Sequence, residues 1–227
     1  MSDYVTSVLM AEVLREIQCQ SPSITFELRP VGRRATEDLE SGELDFLIAP
    51  ELYASVGHPK EKLFEDTHMC VAWNKNRAIG ATISVEQYSA LGHVIVHVGE
   101  LGSANYDERM LRALNCRRNV EVVTASFDLA PQLVVGTERI ATVPARLACK
   151  YAELLPIKLL RVPVDIPPIV EVLQWHRAHD RDPAHLWLRS PLKAGVVQLE
   201  DAVEATASSA AVRSGSHRRR SRATLRA

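Results

Sequence analysis

The sequence lacks several features that would place the protein in a common class. Its four cysteines lie far apart, and no two of them form a C-x-x-C pair. This spacing favours free, mostly buried thiols in a reducing compartment over a disulfide framework or a structural zinc site. The first residues lack the basic stretch and the apolar core of a signal peptide, and no segment approaches about eighteen consecutive apolar residues. We therefore expect a cytoplasmic protein without membrane contacts.

The main part of the sequence also lacks an excess of positive charge. Six of the 27 basic residues lie from Arg213 onward, where no acidic residue occurs. Residues 1–212 therefore carry 21 basic and 28 acidic residues, which gives a net charge of -7. An acidic protein is a poor partner for the phosphate backbone, so we do not expect the folded part to bind nucleic acid non-specifically.

Motifs of catalysis are absent as well. The sequence holds no G-x-S-x-G nucleophile motif, no phosphate-binding loop and no H-E-x-x-H zinc motif. We therefore expect a protein that is not an enzyme and that uses no cofactor.

What the sequence does contain is an alternation of helical and strand patterns. Apolar residues at helical spacing predict a first helix over about 4–19, with Ser2 and Asp3 at its N-cap. Residues of alternating polarity predict a half-buried strand around 24–30. The later pattern predicts strands at 44–49, 67–73, 93–98, 120–125, 140–143, 159–164 and 169–175, and helices at 36–41, 106–114, 129–135 and after Asp182. This order predicts an α/β fold with parallel sheets.

Residues 174–189, with the sequence QWHRAHDRDPAHLWLR, concentrate three histidines in a short segment. His176 and His179 have the spacing of zinc ligands on a helix, and Asp182 could add an oxygen ligand. The β-branched run before them predicts a strand, however, and Asp182-Pro183 predicts a helix N-terminus. The segment therefore fits either a metal-dependent enzyme or a strand-loop-helix corner. The corner is favoured because the spacing does not require the side chains to converge.

Six segments carry a pattern known from one family. They are MSDYVTSVLMAEVLREI, FELRPVGRRATEDLESGELDFLIAPEL, HPKEKLFEDTHMCVAWN, GHVIVHVG, RIATVPARLA and QWHRAHDRDPAHLWLR. In this order, over residues 2 to about 192, they resemble the effector-binding half of LysR-type transcriptional regulators. The branch they are most similar to includes NodD, NahR and LinR. In this family the last segment completes the first subdomain and holds no metal.

The resemblance implies an α/β fold of two Rossmann-like subdomains joined by a hinge, the architecture of type 2 periplasmic binding proteins. The first subdomain would comprise residues 1–71 and 164–194, and the second would comprise residues 72–163. Residues 195–227 would form a disordered basic tail. The chain would cross between the subdomains at 70–72 and at 162–164, so that a cleft between them takes a small-molecule effector.

The same resemblance places the effector site. Ligands of open α/β sheets lie beyond the carboxyl ends of the strands, where helix N-termini offer unpaired N–H groups. The expected effector-binding residues are Ser2, Asp3, Thr6, Ser103, Ser126 and Phe127. Relatives that bind salicylate-like acids have histidines at the positions of Ser103 and Ser126. The serines therefore favour a less acidic, aromatic or phenolic effector.

The resemblance also bears on partners. The family's winged helix-turn-helix does not occur in the sequence, so DNA contact is expected only through an N-terminal domain absent from this chain. Relatives have a further strand before the SDY corner, and without it the strands around 24–30 and 44–49 would lose a neighbour. Because the family commonly dimerises through this domain, we expect a homo-oligomer. A solute-binding receptor of the same fold is the alternative function, which the missing signal peptide disfavours.

Overall fold

The computed structural model describes residues 1–32, 34–98 and 106–199, and within these its strands form two sheets. The strands are β1 (Phe46–Pro50), β2 (Lys60–Asp66), β3 (His68–Trp73), β4 (Gly92–Val96), β5 (Asn119–Thr124), β6 (Ile140–Pro144), β7 (Ile157–Arg161) and β8 (Ile169–Trp175). The first sheet has the strand order β1-β8-β2, and the second has the order β5-β4-β6-β3-β7.

Helices alternate with these strands, as the sequence predicts. The first helical segment is continuous, since α1 (Asp3–Val5) passes through a π-helical stretch (Thr6–Met10) into α2 (Ala11–Gln20). The other helices are α3 (Ala35–Ser41), α4 (Val85–Ala90), α5 (Tyr106–Ala113), α6 (Ala130–Leu133), α7 (Ala145–Leu154) and α8 (183–199). In the part of the chain that the structure describes, none of the helices combines the length and the apolar character needed to span a bilayer.

The parallel sheets expected from this alternation occur only in part. β4 lies between β5 and β6 and runs parallel to both. β3 is antiparallel to β6 and β7, and β8 is antiparallel to β1 and β2. The expectation is wrong for the first sheet, in which β8 returns from the second sheet and lies antiparallel between β1 and β2, and for β3 in the second sheet.

The chain passes between the two sheets twice. β2 ends at Asp66 and β3 begins at His68, so the first crossing is at Thr67 and not at 70–72 as predicted. Residues 60–73 contain no glycine or proline, so the sequence does not mark where one strand gives way to the next. The second crossing spans 162–168. We call the part built on the first sheet lobe I and the part built on the second sheet lobe II.

Residues 24–30 do not form the predicted strand. The segment is instead paired with Met1, whose amino group donates a hydrogen bond to the carbonyl oxygen of Arg29 at 3.0 Å. The carbonyl oxygen of Met1 accepts a hydrogen bond from the N–H of Val31 at 3.1 Å. A single residue paired in this way does not make a ladder, and a strand needs a neighbour along its whole length. The alternating polarity of residues 24–30 therefore predicts a strand that does not form.

Helix α8 extends beyond the boundary that the sequence predicts for the folded part. It begins after Asp182, whose carboxylate accepts hydrogen bonds from two main-chain N–H groups at 2.9 and 3.0 Å, as expected of an N-cap. A Cβ atom at Gly195 would lie 2.6 Å from Cγ2 of Val13, and Val196 is buried. This close packing against α2 explains why residues 195–199 are helical and do not belong to the expected tail.

One apolar core joins the two lobes. It contains Tyr4 and Leu9 of the first helical segment together with Val94, Val143 and Leu147 of lobe II. All five side chains are almost fully buried, and removal of their apolar surface from water stabilises the contact between the lobes. The core therefore fixes the start of the first helix against the second sheet.

Candidate functional site

The carboxyl ends of three parallel strands lie at one edge of lobe II. His97 follows β4, Ser126 and Phe127 follow β5, and Pro144 ends β6. Ligands of open α/β sheets bind beyond such an edge. The residues that follow these strands face the first helical segment of lobe I, as the hydrogen bonds of Asp3 and Ser7 show. This edge is therefore the place to look for a site.

Asp3 connects the two lobes across this edge. Its carboxylate accepts hydrogen bonds from the hydroxyl of Ser126 at 2.6 Å and from the main-chain N–H of Asp128 at 3.2 Å. The hydroxyl of Ser7 donates to the carboxylate of Asp128 at 2.6 Å. Lys150 of lobe II donates to the carbonyl oxygen of Ser7 at 2.8 Å. The structure thus brings together two of the predicted site residues, Asp3 and Ser126.

Ser2 and Thr6 make local hydrogen bonds within the helix start. The hydroxyl oxygen of Ser2 accepts from the N–H of Val5 at 3.3 Å, which makes Ser2 the predicted N-cap. The hydroxyl of Thr6 donates to the carbonyl oxygen of Ser2 at 3.1 Å. Capping alone accounts for the position of Ser2. Thr6 begins the π-helical stretch, a feature that often occurs at functional sites.

Phe127 packs against the buried ring of Tyr4. Their ring centroids are 6.1 Å apart. The hydroxyl of Tyr4 donates a hydrogen bond of 2.6 Å to the carboxylate of Asp66, at the end of β2. Burial raises the pKa of Tyr4 well above its usual value, and burial also raises the pKa of Asp66. The phenol therefore keeps its proton and holds its ring in place beside Phe127.

Two histidines that the sequence analysis missed lie near the same edge. The N–H of His97 donates to the carbonyl oxygen of Thr124 at 2.8 Å and extends the β4–β5 ladder. Both ring nitrogens of His97, and Nδ1 of His68, are buried without a hydrogen-bond partner among the described residues. The sequence signal that could have identified His97 is its position directly after the buried strand β4. The predicted residue Ser103 lies outside the described residues.

A second contact between the lobes forms at the start of α5. The ring of Tyr106 stacks on that of His68, with centroids 6.1 Å apart and planes inclined by 4°, and its hydroxyl donates to the carbonyl oxygen of Pro168 at 2.9 Å. The guanidinium of Arg109 lies 5.7 Å from the ring centroid of Tyr53 in lobe I. The contact of Arg109 with Tyr53 thus links the lobes at α5, in addition to the hydrogen bonds at Asp3.

Comparison with known proteins decides the family. The family model described as LysR substrate binding domain matches residues 1–196. The chain belongs to this family. Nodulation protein D 3 of Rhizobium leguminosarum bv. phaseoli is 36% identical over 187 residues, which are 82% of this chain and 62% of that protein. Nodulation protein D 2 of Rhizobium tropici is 38% identical over 192 residues, or 85% and 61% of the two chains. The chain thus spans about three-fifths of the length of these curated relatives.

Solved structures of transcriptional regulators share the fold of this chain. The probable transcriptional regulator PA0477 from Pseudomonas aeruginosa has a TM-score of 0.78 at 29% identity, covering 85% of this chain and 64% of that one. The regulatory domain of MexT, a transcriptional activator in the same organism, has a TM-score of 0.72 at 22% identity, covering 86% and 94%. The predicted fold, two subdomains of the type 2 periplasmic-binding-protein kind, is confirmed. As a member of a family of transcriptional regulators, the chain is not an enzyme.

The histidine-rich segment of this LysR domain forms the strand-loop-helix corner that its sequence favours. The rings of His179 and His185 stack with centroids 4.3 Å apart, while those of His176 and His179 are 6.2 Å apart. His58 lies against His176 with centroids 4.8 Å apart. The rings thus form a row, and no group of three or more donors in residues 1–32, 34–98 and 106–199 is arranged to hold a metal ion.

Proposed function

We propose that this chain is the ligand-sensing domain of a LysR-type regulator and that a small aromatic or phenolic effector binds in the cleft between its lobes. The observation that carries the proposal is the hydrogen bond from Ser126 to Asp3 across the cleft. A ligand that enters there must replace or extend this bond. A ligand that binds better to one arrangement of the lobes shifts the population toward that arrangement.

The charges around the cleft support an uncharged effector. The carboxylates of Asp3 and Asp128 both lie at the contact between the lobes, where they accept hydrogen bonds. Lys150, a cation at this contact, donates to the carbonyl oxygen of Ser7. The two carboxylates therefore disfavour a ligand carboxylate placed between them, whereas a phenolic hydroxyl can donate a hydrogen bond to either group. The half-buried ring of Phe127, which packs against the buried Tyr4, offers an apolar surface for an aromatic ring.

Control of transcription further requires contact with DNA. We assign this contact to another part of a longer protein, because residues 1–212 have a net charge of -7.

A homo-oligomer is part of the same proposal. In this scheme binding of the effector changes the angle between the lobes about Thr67 and residues 162–168, and the change passes to the rest of the regulator.

Thermal unfolding of the full chain in the presence of candidate effectors tests the proposal. We expect a flavonoid, a hydroxybenzoate or a chlorinated phenol to raise the melting temperature. A ligand present at about one hundred times its dissociation constant adds about 2.7 kcal/mol to the free energy of unfolding. If none of these classes stabilises the protein, the proposed effector chemistry is wrong.

A double variant locates the binding. Ser126→Arg together with Phe127→Arg should abolish the shift by filling the cleft with charge. The matched control introduces two arginines at exposed positions elsewhere, Ser41→Arg and Leu154→Arg, and should keep the shift. A ligand that still stabilises the first double variant binds at a site other than the cleft.

A further inference from the structure

His68 and His97 lie on the two strands that flank β6, and both are in register with its last residue, Pro144. His68 is paired with Pro144 in the β3–β6 register. In the β4–β6 register His93 is paired with Ile140, and continuing this register four residues places His97 level with Pro144 as well. The two histidines are thus separated by two strand spacings, which puts their Cα atoms roughly 9–10 Å apart.

Both side chains belong to the same face of the second sheet. Side chains alternate between faces along a strand, so His68 shares its face with Cys70 and Ala72. Those two residues and Ile140 form one core cluster, separate from the core that joins the lobes. His97 lies an even number of residues after His93, which is paired with Ile140. The stacking of Tyr106 on His68 shows that the start of α5 covers this face.

The rings of His68 and His97 carry buried nitrogens that the described residues leave unsatisfied. Nδ1 of His68 and both ring nitrogens of His97 are buried and have no hydrogen-bond partner among the described residues, although a buried polar group left unpaired costs about 1–3 kcal/mol. Burial also lowers the pKa of His68, which keeps its ring neutral. A neutral imidazole has one donor and one acceptor, so it can bind a hydroxyl in either direction.

We propose that His68 and His97 determine the effector specificity of this domain by binding polar substituents at opposite ends of one uncharged aromatic ring. The ring lies across the end of β6, over Pro144, with Tyr106 beside it. This inference rests on the proposed function and adds to it a requirement for two polar groups. The simplest molecule of this class is a single benzene ring with polar substituents in para positions.

The test compares two small probes by calorimetry and by NMR. 4-Hydroxybenzyl alcohol carries a hydroxyl group at each end of the ring, and p-cresol lacks one of them. We expect p-cresol to bind about three- to tenfold more weakly, since one hydrogen bond is lost. In the spectrum of the ¹⁵N-histidine-labelled full chain, 4-hydroxybenzyl alcohol should shift the ring signals of His68 and His97 and leave those of His58 and His179 in place.

Variants at His97 separate hydrogen bonding from packing. His97→Phe keeps a planar ring of similar size but removes both nitrogens, and should make the two probes bind with equal affinity. His97→Asn retains a donor and an acceptor, and should restore part of the preference. His179→Phe, in the row of histidines in lobe I, is the matched control and should bind both probes as the unmodified chain does. Circular dichroism checks that each variant is folded.

The outcomes distinguish the two proposals. If effectors from the wider set of phenols stabilise the chain but the probes bind equally well and the signals of His68 and His97 do not move, the role of the histidines is wrong while the proposed function stands. If neither the probes nor any of the wider set binds, both proposals fall. Unequal binding of the probes that persists in His97→Phe would also overturn the role of His97.

Discussion

Lobe I and lobe II differ in how completely their strands are paired. Among the described strands, β3, β4 and β6 of lobe II each have a partner on both sides, whereas in lobe I only β8 does. Residues 24–30 lie across a groove of about 480 Å³ from β1, and its lining includes Met1, Val31 and Phe46. Residues 24–30 have the alternating polarity of a strand, but no described strand pairs with them along their length. Alternating polarity therefore predicts a strand only where a neighbour can take up the main-chain hydrogen bonds.

The lobes also differ in how they accommodate buried charge. In lobe II the guanidinium of Arg118 is almost fully buried and bonds to Asp107 at 2.7 Å and to Glu108. In lobe I the carboxyl group of Glu171 is 2% exposed, and its Oε2 atom has no hydrogen-bond partner among the described residues. Lobe I also pairs buried charges, at Asp66 and Arg189, but the carboxyl group of Glu171 avoids its charge by protonation. This difference leads to opposite responses to mutation.

The largest effect is expected from breaking the buried ion cluster of lobe II. Arg118→Met leaves Asp107 and Glu108 without their shared partner, and should lower the free energy of unfolding by about 3–5 kcal/mol. Urea denaturation at neutral pH measures the loss. The control is Arg112→Met, which removes an exposed partner of Glu108 and should cost less than about 1 kcal/mol. Equal losses for the two variants would show that burial of the cluster is unimportant.

A smaller effect of opposite sign is expected at Glu171 in lobe I. Burial raises the pKa of this carboxyl group from 4.5 to about 8. The folded state therefore holds the proton more tightly than the unfolded state. The contribution of the Glu171 carboxyl group to the free energy of unfolding is complete below about pH 4.5 and is lost as the pH rises through 8. Glu171→Gln removes this loss, and should stabilise the protein at pH 8 by about 2–3 kcal/mol, since each pKa unit is worth about 1.36 kcal/mol and the buried amide offsets part of the gain.

Urea denaturation at pH 5 and at pH 8 measures this effect. The two proteins should be close in stability at pH 5 and differ at pH 8. The exposed residue Glu153 provides the control, because Glu153→Gln should change stability little at either pH. A difference between Glu171→Gln and the unmodified chain that stays constant from pH 5 to 8 would contradict the proposed protonation.

The same contrast explains how much of the molecule could be predicted. Local signals were sufficient where they act locally, as for Ser2 and Asp182 at helix starts and for Gly42, whose φ of 78° ends α3. Pairing partners were not predictable, because the direction of β8 depends on the path through the whole of lobe II. At the site, Asp3 and Ser126 were predicted as site residues, but their mutual hydrogen bond joins residues 123 positions apart. His97 was missed because its lack of a partner is visible only in three dimensions.

The smallest of these effects concerns the groove beside residues 24–30. Met1 already makes the two hydrogen bonds of a parallel bridge with Arg29 and Val31. An added segment of five alternating valine and threonine residues before Met1 would continue in the same direction and meet the free edge of β1. Cross-strand pairs contribute roughly 0.2–1 kcal/mol each, and part of this is offset by the entropy of ordering the segment. We therefore expect a net gain of about 1–2 kcal/mol in the free energy of unfolding. Hydrogen exchange should show new protection of the amides of residues 25–31.

A glycine-serine extension of equal length is the control. It changes the terminal charge in the same way but has little tendency to form a strand, so it should give neither effect. If both extensions stabilise the protein equally, the gain comes from the removed charge of Met1 and the groove does not accept a strand.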